Sequence, residues 1–237
     1  MRRFARRFVD GTVIRLLEYV RRTLPSGRDI ELVPRLIPEL LRRAVADSAD
    51  YADTHMAAAL GFSDQKDART HAFGRRPAAG LILEFGVRAG RSINFFAGLT
   101  DQPLYGFDSF EGLREDWKGT GHAAGHFGVG GRLPSVPAHV TLIKGWFDEV
   151  LPGFLAAHPG PISFVHIDSD TYEAAATILR LAADRVVPGT VVMFDEYFGY
   201  RGWRMGEFKA WQEFVTQHGL RYEYLCFSDD SVAVVIR

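Results

Sequence analysis

From Pro77 onward the sequence alternates short apolar runs with longer helical patterns, and this alternation constrains the fold more than any other feature. The runs are residues 80–85, 103–107, 140–144, 162–167 and 190–194, and each ends in a polar or glycine-containing turn. Strands separated by helices pair in parallel, because the crossover helix carries the chain back to the starting end of the sheet. The end of the chain has a different texture. Residues 206–218 read as an amphipathic helix with Phe208, Trp211 and Val215 on one face. Residues 220–227 and 231–236 then read as two strands joined through Asp229-Asp230, a link short enough to demand an antiparallel hairpin. The expected fold class is α/β: a seven-stranded, mostly parallel sheet with an antiparallel C-terminal edge hairpin, flanked by helices. An open sheet of this kind takes its ligands beyond the carboxyl ends of its strands, so function is sought in the turns.

The first third of the chain lacks strand patterns. Phe4, Phe8, Val13, Leu16, Leu17 and Val20 recur at helical spacing, Pro25-Ser26-Gly27 breaks the pattern, Leu36, Leu40, Leu41 and Val45 form a second face, and Met56 to Leu60 belong to a third segment. Residues 1–75 are therefore expected to be a helical extension, a lid or an oligomer contact, with residues 76–237 as the main domain. The formal charge of −1 over 237 residues hides an asymmetry. Residues 1–28 hold eight Arg against Asp10 and Glu18, so the rest of the chain is acidic, which argues against a nucleic-acid partner. No apolar run reaches the length of a membrane span, and the basic start has no apolar stretch behind it that would make a leader. The one cysteine, Cys226, excludes an internal disulfide framework and a Cys-rich zinc site, and a reducing, cytoplasmic setting is expected. A homo-oligomer is expected from the arm.

Five turns carry candidate chemistry. In the first, Glu84-Phe85-Gly86 leads through Gly90 to Ser92. The spacing is not the G-x-G-x-x-G of a dinucleotide site, and a carboxylate ahead of the turn suits a cationic ligand better than a pyrophosphate. S-adenosylmethionine meets that description: its amino group can pair with Glu84, directly or through water, and its carboxylate with the helix N-terminus. The competing reading is a strand–helix turn whose glycines serve packing alone. In the second turn, Asp108 and Ser109 end the next run, and Asp108 stands 22 residues after Gly86, where an acid reaches ribose hydroxyls. The alternative is an Asp that caps its own turn. Trp146, after Gly145 in the third turn, is placed to lie against an adenine or to pack in the core.

The fourth turn reads His166-Ile167-Asp168-Ser169-Asp170, and the fifth Asp195-Glu196. Neighbouring parallel strands bring four carboxylates to one rim, where like charges repel unless a cation or protons intervene. Oxygen ligands favour Mg²⁺, with Mn²⁺ or Ca²⁺ as alternatives. Asp170 to Glu173 also fits a helix cap with its capping-box glutamate, and His166 reads as a satisfied core histidine. Residues 112–137 are glycine-rich and contain His122 and His126. The glycines argue against the helix that a zinc pair would need, so the stretch is expected to be a loop over the substrate. Trp117, Tyr200 and Trp203 are candidates to stack on an acceptor or to pack.

Taken together, LEFGVRAGRSI, GFDSFEGL, KGWFDEVLP, HIDSDTYE and FDEYFGYRGW make residues 80–237 resemble the class I S-adenosylmethionine-dependent methyltransferases, and more narrowly the metal-dependent macrocin-type O-methyltransferases that modify antibiotic sugars. The resemblance implies a Rossmann-like sheet. It implies that Glu84, Gly86 and Gly90 form the cofactor turn, that Asp108 binds ribose, that Asp168, Asp195 and Glu196 hold the metal, and that Asp170 is the general base. Some members carry Asp in place of Glu196, and many carry Cys and Leu around Asp170. The expected reaction is Mg²⁺-dependent methyl transfer to a hydroxyl of a small molecule, with Asp170, or failing it His166, taking the proton. The rivals are a metal-independent methyltransferase, a nicotinamide oxidoreductase lacking its phosphate fingerprint, and a non-catalytic cofactor-binding protein.

Overall fold

The structure is a computed structural model that describes residues 35–237, so the expected first helix and the basic arm lie outside the described residues. Residues 40–237 form one compact unit. The described elements are α1 (Leu36–His55), β1 (Leu60–Gly61), α2 (Gln65–Gly74), β2 (Leu81–Phe85), α3 (Arg91–Ala97), β3 (Leu104–Asp108), β4 (Val140–Lys144), α4 (Phe147–Ala157), β5 (Ile162–Ile167), α5 (Tyr172–Ala182), β6 (Val191–Phe194), α6 (Glu207–His218), β7 (Tyr222–Phe227) and β8 (Val232–Ile236).

The strands form one sheet in the order β1-β7-β8-β6-β5-β2-β3-β4. Strands β2 to β6 are parallel where they pair, and β8 runs antiparallel to both β6 and β7, as the short Asp229-Asp230 link requires. Among the described residues the sheet has eight strands instead of seven. The extra strand is β1, whose Leu60 pairs with Cys226 in parallel, so β7 is not the edge. This corrects the reading of Met56–Leu60 as helix. The third helix is instead α2, which starts five residues after Leu60 behind the N-cap Asp64. Its buried face is Ala68, Ala72 and Phe73, and two of these side chains are too small to give a strong hydrophobic period.

Helices cover both faces of the sheet. Leu83, Phe85, Val165, Ile167, Val192 and Phe194 pack on one side against Leu151 and Phe154 of α4, Ile178 and Leu179 of α5, and Trp211 and Phe214 of α6. Alternate residues Ile82, Phe164, Val191 and Met193 pack on the other side against Ala68 and Phe73 of α2 and Ile93 and Phe96 of α3. All six residues of β5 are buried, the mark of a central strand covered on both faces. The chain leaves β2 toward β3 on one side and reaches β5 on the other. The crevice outside the carboxyl ends of β2 and β5 is therefore the topological switch point, where such sheets bind ligands.

Candidate active site

A cavity of about 610 Å³ opens at that switch point. Its floor is knitted by backbone bonds: Gly86 N–H donates to the Phe107 carbonyl at 2.9 Å, and Asp168 N–H to the Phe85 carbonyl at 2.8 Å. Gly86 has φ +94°, and a Cβ there would stand 1.7 Å from the Asp168 carbonyl oxygen. The residue is a glycine because β5 passes so close, and it also lines the cavity. Gly90 does not line the cavity. It has φ +78°, begins α3, and lies under Pro134, whose Cβ a side chain would meet at 2.9 Å.

Glu84 does not line the cavity. It shares a face of β2 with Ile82, on the α2–α3 side of the sheet, and is 1% exposed. Ser92 Oγ donates to its Oε1 at 3.0 Å, and His166 Nδ1 lies 3.3 Å from its Oε2. Both oxygens are thus engaged by side chains of α3 and β5. Ser92 lines the cavity, but its hydroxyl is committed to Glu84.

At the end of β3, both readings of Asp108 have structural support. It lines the cavity, and its Oδ1 accepts from Phe110 N–H at 2.6 Å, the local turn bond. Its Oδ2 accepts from Val87 and Arg88 N–H at 2.8 and 2.6 Å, which ties the β2–α3 turn to β3. Ser109 and Trp146 also line the cavity. The Arg114 guanidinium stands 5.1 Å over the Trp146 ring.

The ends of β5 and β6 bring the four expected carboxylates to the cavity wall. Oxygens of Asp168, Asp170 and Glu196 lie within 4.8 Å of one another, as do ligand atoms of His166, Asp168 and Asp195. Burial and mutual repulsion raise Asp168 and Glu196 well above the usual carboxylate range. Burial and the charge of Asp195 push Asp170 up to about 7. Glu196 Oε2 is buried without a hydrogen-bond partner among the described residues.

Asp195 is the exception. Its Oδ1 receives Gln65 Nε2 at 3.0 Å and Arg69 Nη2 at 2.7 Å, and lies 3.2 Å from His166 Nε2. Burial opposes its ionisation, but the hydrogen bond and charge of His166, with Arg69, outweigh it and hold the carboxyl down at about 2. His166 is fully buried, with both ring nitrogens on carboxylates. Burial disfavours its cation, yet Asp195 and Glu84 hold its pKa up at about 10. His166 does not line the cavity, and its two ring nitrogens are taken up by Glu84 and Asp195, the arrangement of a satisfied core histidine.

The capping reading of Asp170 is corrected as well. The N-cap of α5 is Thr171, whose Oγ1 accepts from Ala174 N–H at 3.3 Å. Asp170 is left facing the cavity with φ +63°, a strained backbone of the kind that gathers at functional sites. Of the three aromatic candidates, Trp117 lines the cavity. Tyr200 packs edge-on against Trp117 at 5.3 Å, and Trp203 is 2% exposed in a cluster with Tyr51 and Phe208. His122 and His126 stack at 4.2 Å in the loop, which lines the cavity through Leu113, Arg114, Phe127 and Val129.

Three residues escaped the sequence reading. Gln65 and Arg69 stand one helical turn apart on α2, a helix that gave no clear pattern, and only the packing of α2 on the sheet brings them to Asp195. Glu207 opens α6, is fully buried, and accepts from Ser169 N–H at 2.9 Å. Its only sequence signal is an acid in a first helical turn, which normally means a solvated residue favoured by the helix dipole.

Residues 83–197 match the family model described as a methyltransferase domain. A curated relative from Streptomyces olivaceus, 8-demethyl-8-(2,3-dimethoxy-alpha-L-rhamnosyl)-tetracenomycin-C 4'-O-methyltransferase, is 32% identical over 142 aligned residues, covering 50% of this chain and 53% of the relative. The chain thus spans about half the length of the curated relative it matches. Among solved structures, the calicheamicin methyltransferase CalS11 is similar with a TM-score of 0.60 at 22% identity, over 83% of this chain and 90% of that one. The O-methyltransferase NovP is similar with a TM-score of 0.52 at 20% identity, over 72% of this chain and 76% of that one. At these identities the two structures establish the fold alone, and the family match runs from within β2 to just past the end of β6. Residues 83–197 of this chain are thus similar to a methyltransferase domain.

Proposed function

We propose that this protein is an S-adenosylmethionine-dependent, Mg²⁺-dependent O-methyltransferase acting on a hydroxyl of a sugar or glycosylated natural product. The observation that carries the reading is the acidic wall of the cavity, with the Glu196 Oε2 oxygen buried and unpartnered among the described residues. Oxygens this crowded, with pKa values raised by burial and repulsion, fit a hard divalent cation that would relieve both. Asp168, Glu196 and Asp195 would hold it, Asp195 through the oxygen not taken by Arg69. Mn²⁺ suits the same donors. The bound cation would lower the pKa of an acceptor hydroxyl and fix its position. The relatives' printed activities support the acceptor class: a rhamnosyl 4'-O-methyltransferase, and a second CalS11 structure described as TDP-rhamnose 3'-O-methyltransferase.

On the other side of the cavity, Gly86, Asp108, Ser109 and Trp146 are the residues we assign to S-adenosylmethionine. Asp108 faces the ribose, Trp146 the adenine, and Gly90 shapes the turn from below. Glu84 and Ser92 act indirectly by fixing the floor. The cofactor supplies a methyl group already activated by the sulfonium, so the protein contributes mainly position and water exclusion. Asp170, near 7 and facing the cavity, takes the proton released by the acceptor hydroxyl.

Among the described residues no helix is long and apolar enough to cross a membrane. We assign the reaction to the cytoplasm, and we assign residues 1–28 to an oligomer contact or lid. Mass spectrometry of candidate glycosides incubated with the protein, S-adenosylmethionine and Mg²⁺ tests the reading: a mass gain of one methyl group that disappears in chelator and returns with Mg²⁺ is expected. Turnover that persists in chelator refutes the metal, and absence of S-adenosylmethionine binding by calorimetry refutes the whole.

A further inference from the structure

Glu207 has no part in the chemistry above, yet it is fully buried beside the acidic wall. Its Oε1 accepts from Ser169 N–H at 2.9 Å and from Ser169 Oγ at 3.1 Å, and its Oε2 from Glu196 N–H at 3.3 Å. Ser169 lies between Asp168 and Asp170, and Glu196 follows Asp195. One carboxylate therefore grips the backbone of both turns that carry the four acids. The β5–β6 ladder stops short of them: its last pair is Ile167 with Phe194, followed by one bond from Asp195 N–H to the Ile167 carbonyl. Beyond that bond Glu207 spans the two turns. An acid buried next to other acids is a poor choice for packing, since desolvation and like charge both oppose it. Three donors aimed at it make sense when the carboxylate holds those donors in place.

We propose that Glu207 is a positioning residue that sets the spacing of the β5 and β6 turns and thereby the affinity of the site for a divalent cation. The inference rests on the reading that the acidic wall holds such a cation. It acts through backbone N–H groups and requires no contact between Glu207 and the ion, in the manner of the outer-shell partners that orient metal ligands.

The test is Mn²⁺ binding to the full chain, followed by electron paramagnetic resonance, for wild type, Glu207→Gln and Glu207→Ala. Calorimetric affinity for S-adenosylhomocysteine is measured on the same samples. Glu207→Ala should weaken Mn²⁺ binding by about tenfold or more while S-adenosylhomocysteine affinity stays within about threefold, the scale typical of lost outer-shell support. Glu207→Gln should fall between, because its amide oxygen still accepts from Ser169 while its NH₂ turns toward the Glu196 N–H. A merely structural role would weaken both ligands together and in step with the melting temperature. Should Glu207→Ala fail to fold, Glu207→Gln decides: reduced Mn²⁺ affinity with unchanged S-adenosylhomocysteine affinity supports the proposal, and unchanged Mn²⁺ affinity overturns it. Wild type that binds Mn²⁺ with variants equal to it overturns this inference alone. Wild type that binds no Mn²⁺ overturns the cation reading and this inference with it.

Discussion

Replacing Gly86 by Ala perturbs the junction between the two halves of the site. Two costs are visible in the structure. The residue sits at φ +94°, where an L side chain meets its own backbone, a penalty of about 1–2 kcal/mol. The new Cβ would also stand 1.7 Å from the Asp168 carbonyl oxygen, far inside van der Waals contact. That oxygen is backbone and cannot swing away as a flexible side chain would, so β2 and β5 must part, at about 1–3 kcal/mol for an overpacked position. The sum, about 2–5 kcal/mol, corresponds to a fall in melting temperature of roughly 5–20 °C for a chain of this size. The same displacement moves Asp168, whose N–H donates to the Phe85 carbonyl at 2.8 Å, so cation affinity should fall with stability. Urea denaturation, differential scanning calorimetry and Mn²⁺ titration of Gly86→Ala measure these effects. A variant within about 1 kcal/mol of wild type with unchanged Mn²⁺ affinity would show that the close approach of β5 does not dictate this glycine.

Three further outcomes follow from the same geometry. Thr171→Ala should lose about 1 kcal/mol of stability in urea, because Thr171 caps α5, whereas Asp170→Asn should keep or raise stability while abolishing turnover; a destabilised Asp170→Asn would restore the capping role to Asp170. Arg69→Met leaves Asp195 without its 2.7 Å partner at a site where both side chains are 12% exposed, and should cost about 3 kcal/mol by denaturation, with a loss under about 1 kcal/mol counting against the pair. His166, held up at about 10 against an ordinary value near 6.5, contributes stability that is fully present below pH 6.5 and is lost as pH rises toward 10. Wild type should therefore lose stability over that interval in a way that His166→Asn does not, and parallel pH profiles would show that the buried histidine is neutral.

Much of the frame was legible in the sequence because period and turn chemistry are local properties. The apolar runs at 140–144 and 162–167 match β4 and β5 residue for residue, and the other strands differ by one or two residues at their ends. The positions of Asp168, Asp170, Asp195 and Glu196 at one wall followed from parallel pairing alone. What failed to show was whatever depends on the third dimension. Strand β1 has two residues, too few to carry a period, and exists because β7 offers it an unpaired edge. The aim of a strand-end side chain is also invisible before packing. Glu84 and Asp108 read alike in the sequence, but Glu84 bonds Ser92 and His166 on the α2–α3 side of the sheet, while Asp108 lines the cavity and bonds the backbone of the β2–α3 turn.

The sequence by itself determined the sheet, its hairpin, the end at which the cavity opens and the acids gathered there, since each is written in residues close together in the chain. Only the tertiary structure decided the state of those acids. Arg69 from α2 and His166 from β5 fix Asp195 as an ion, while Asp168, Asp170 and Glu196 are left crowded with raised pKa values. Glu207 from α6 ties their turns together. Charge interactions and desolvation depend on distances between elements far apart in the chain, and those distances exist only once the layers have packed.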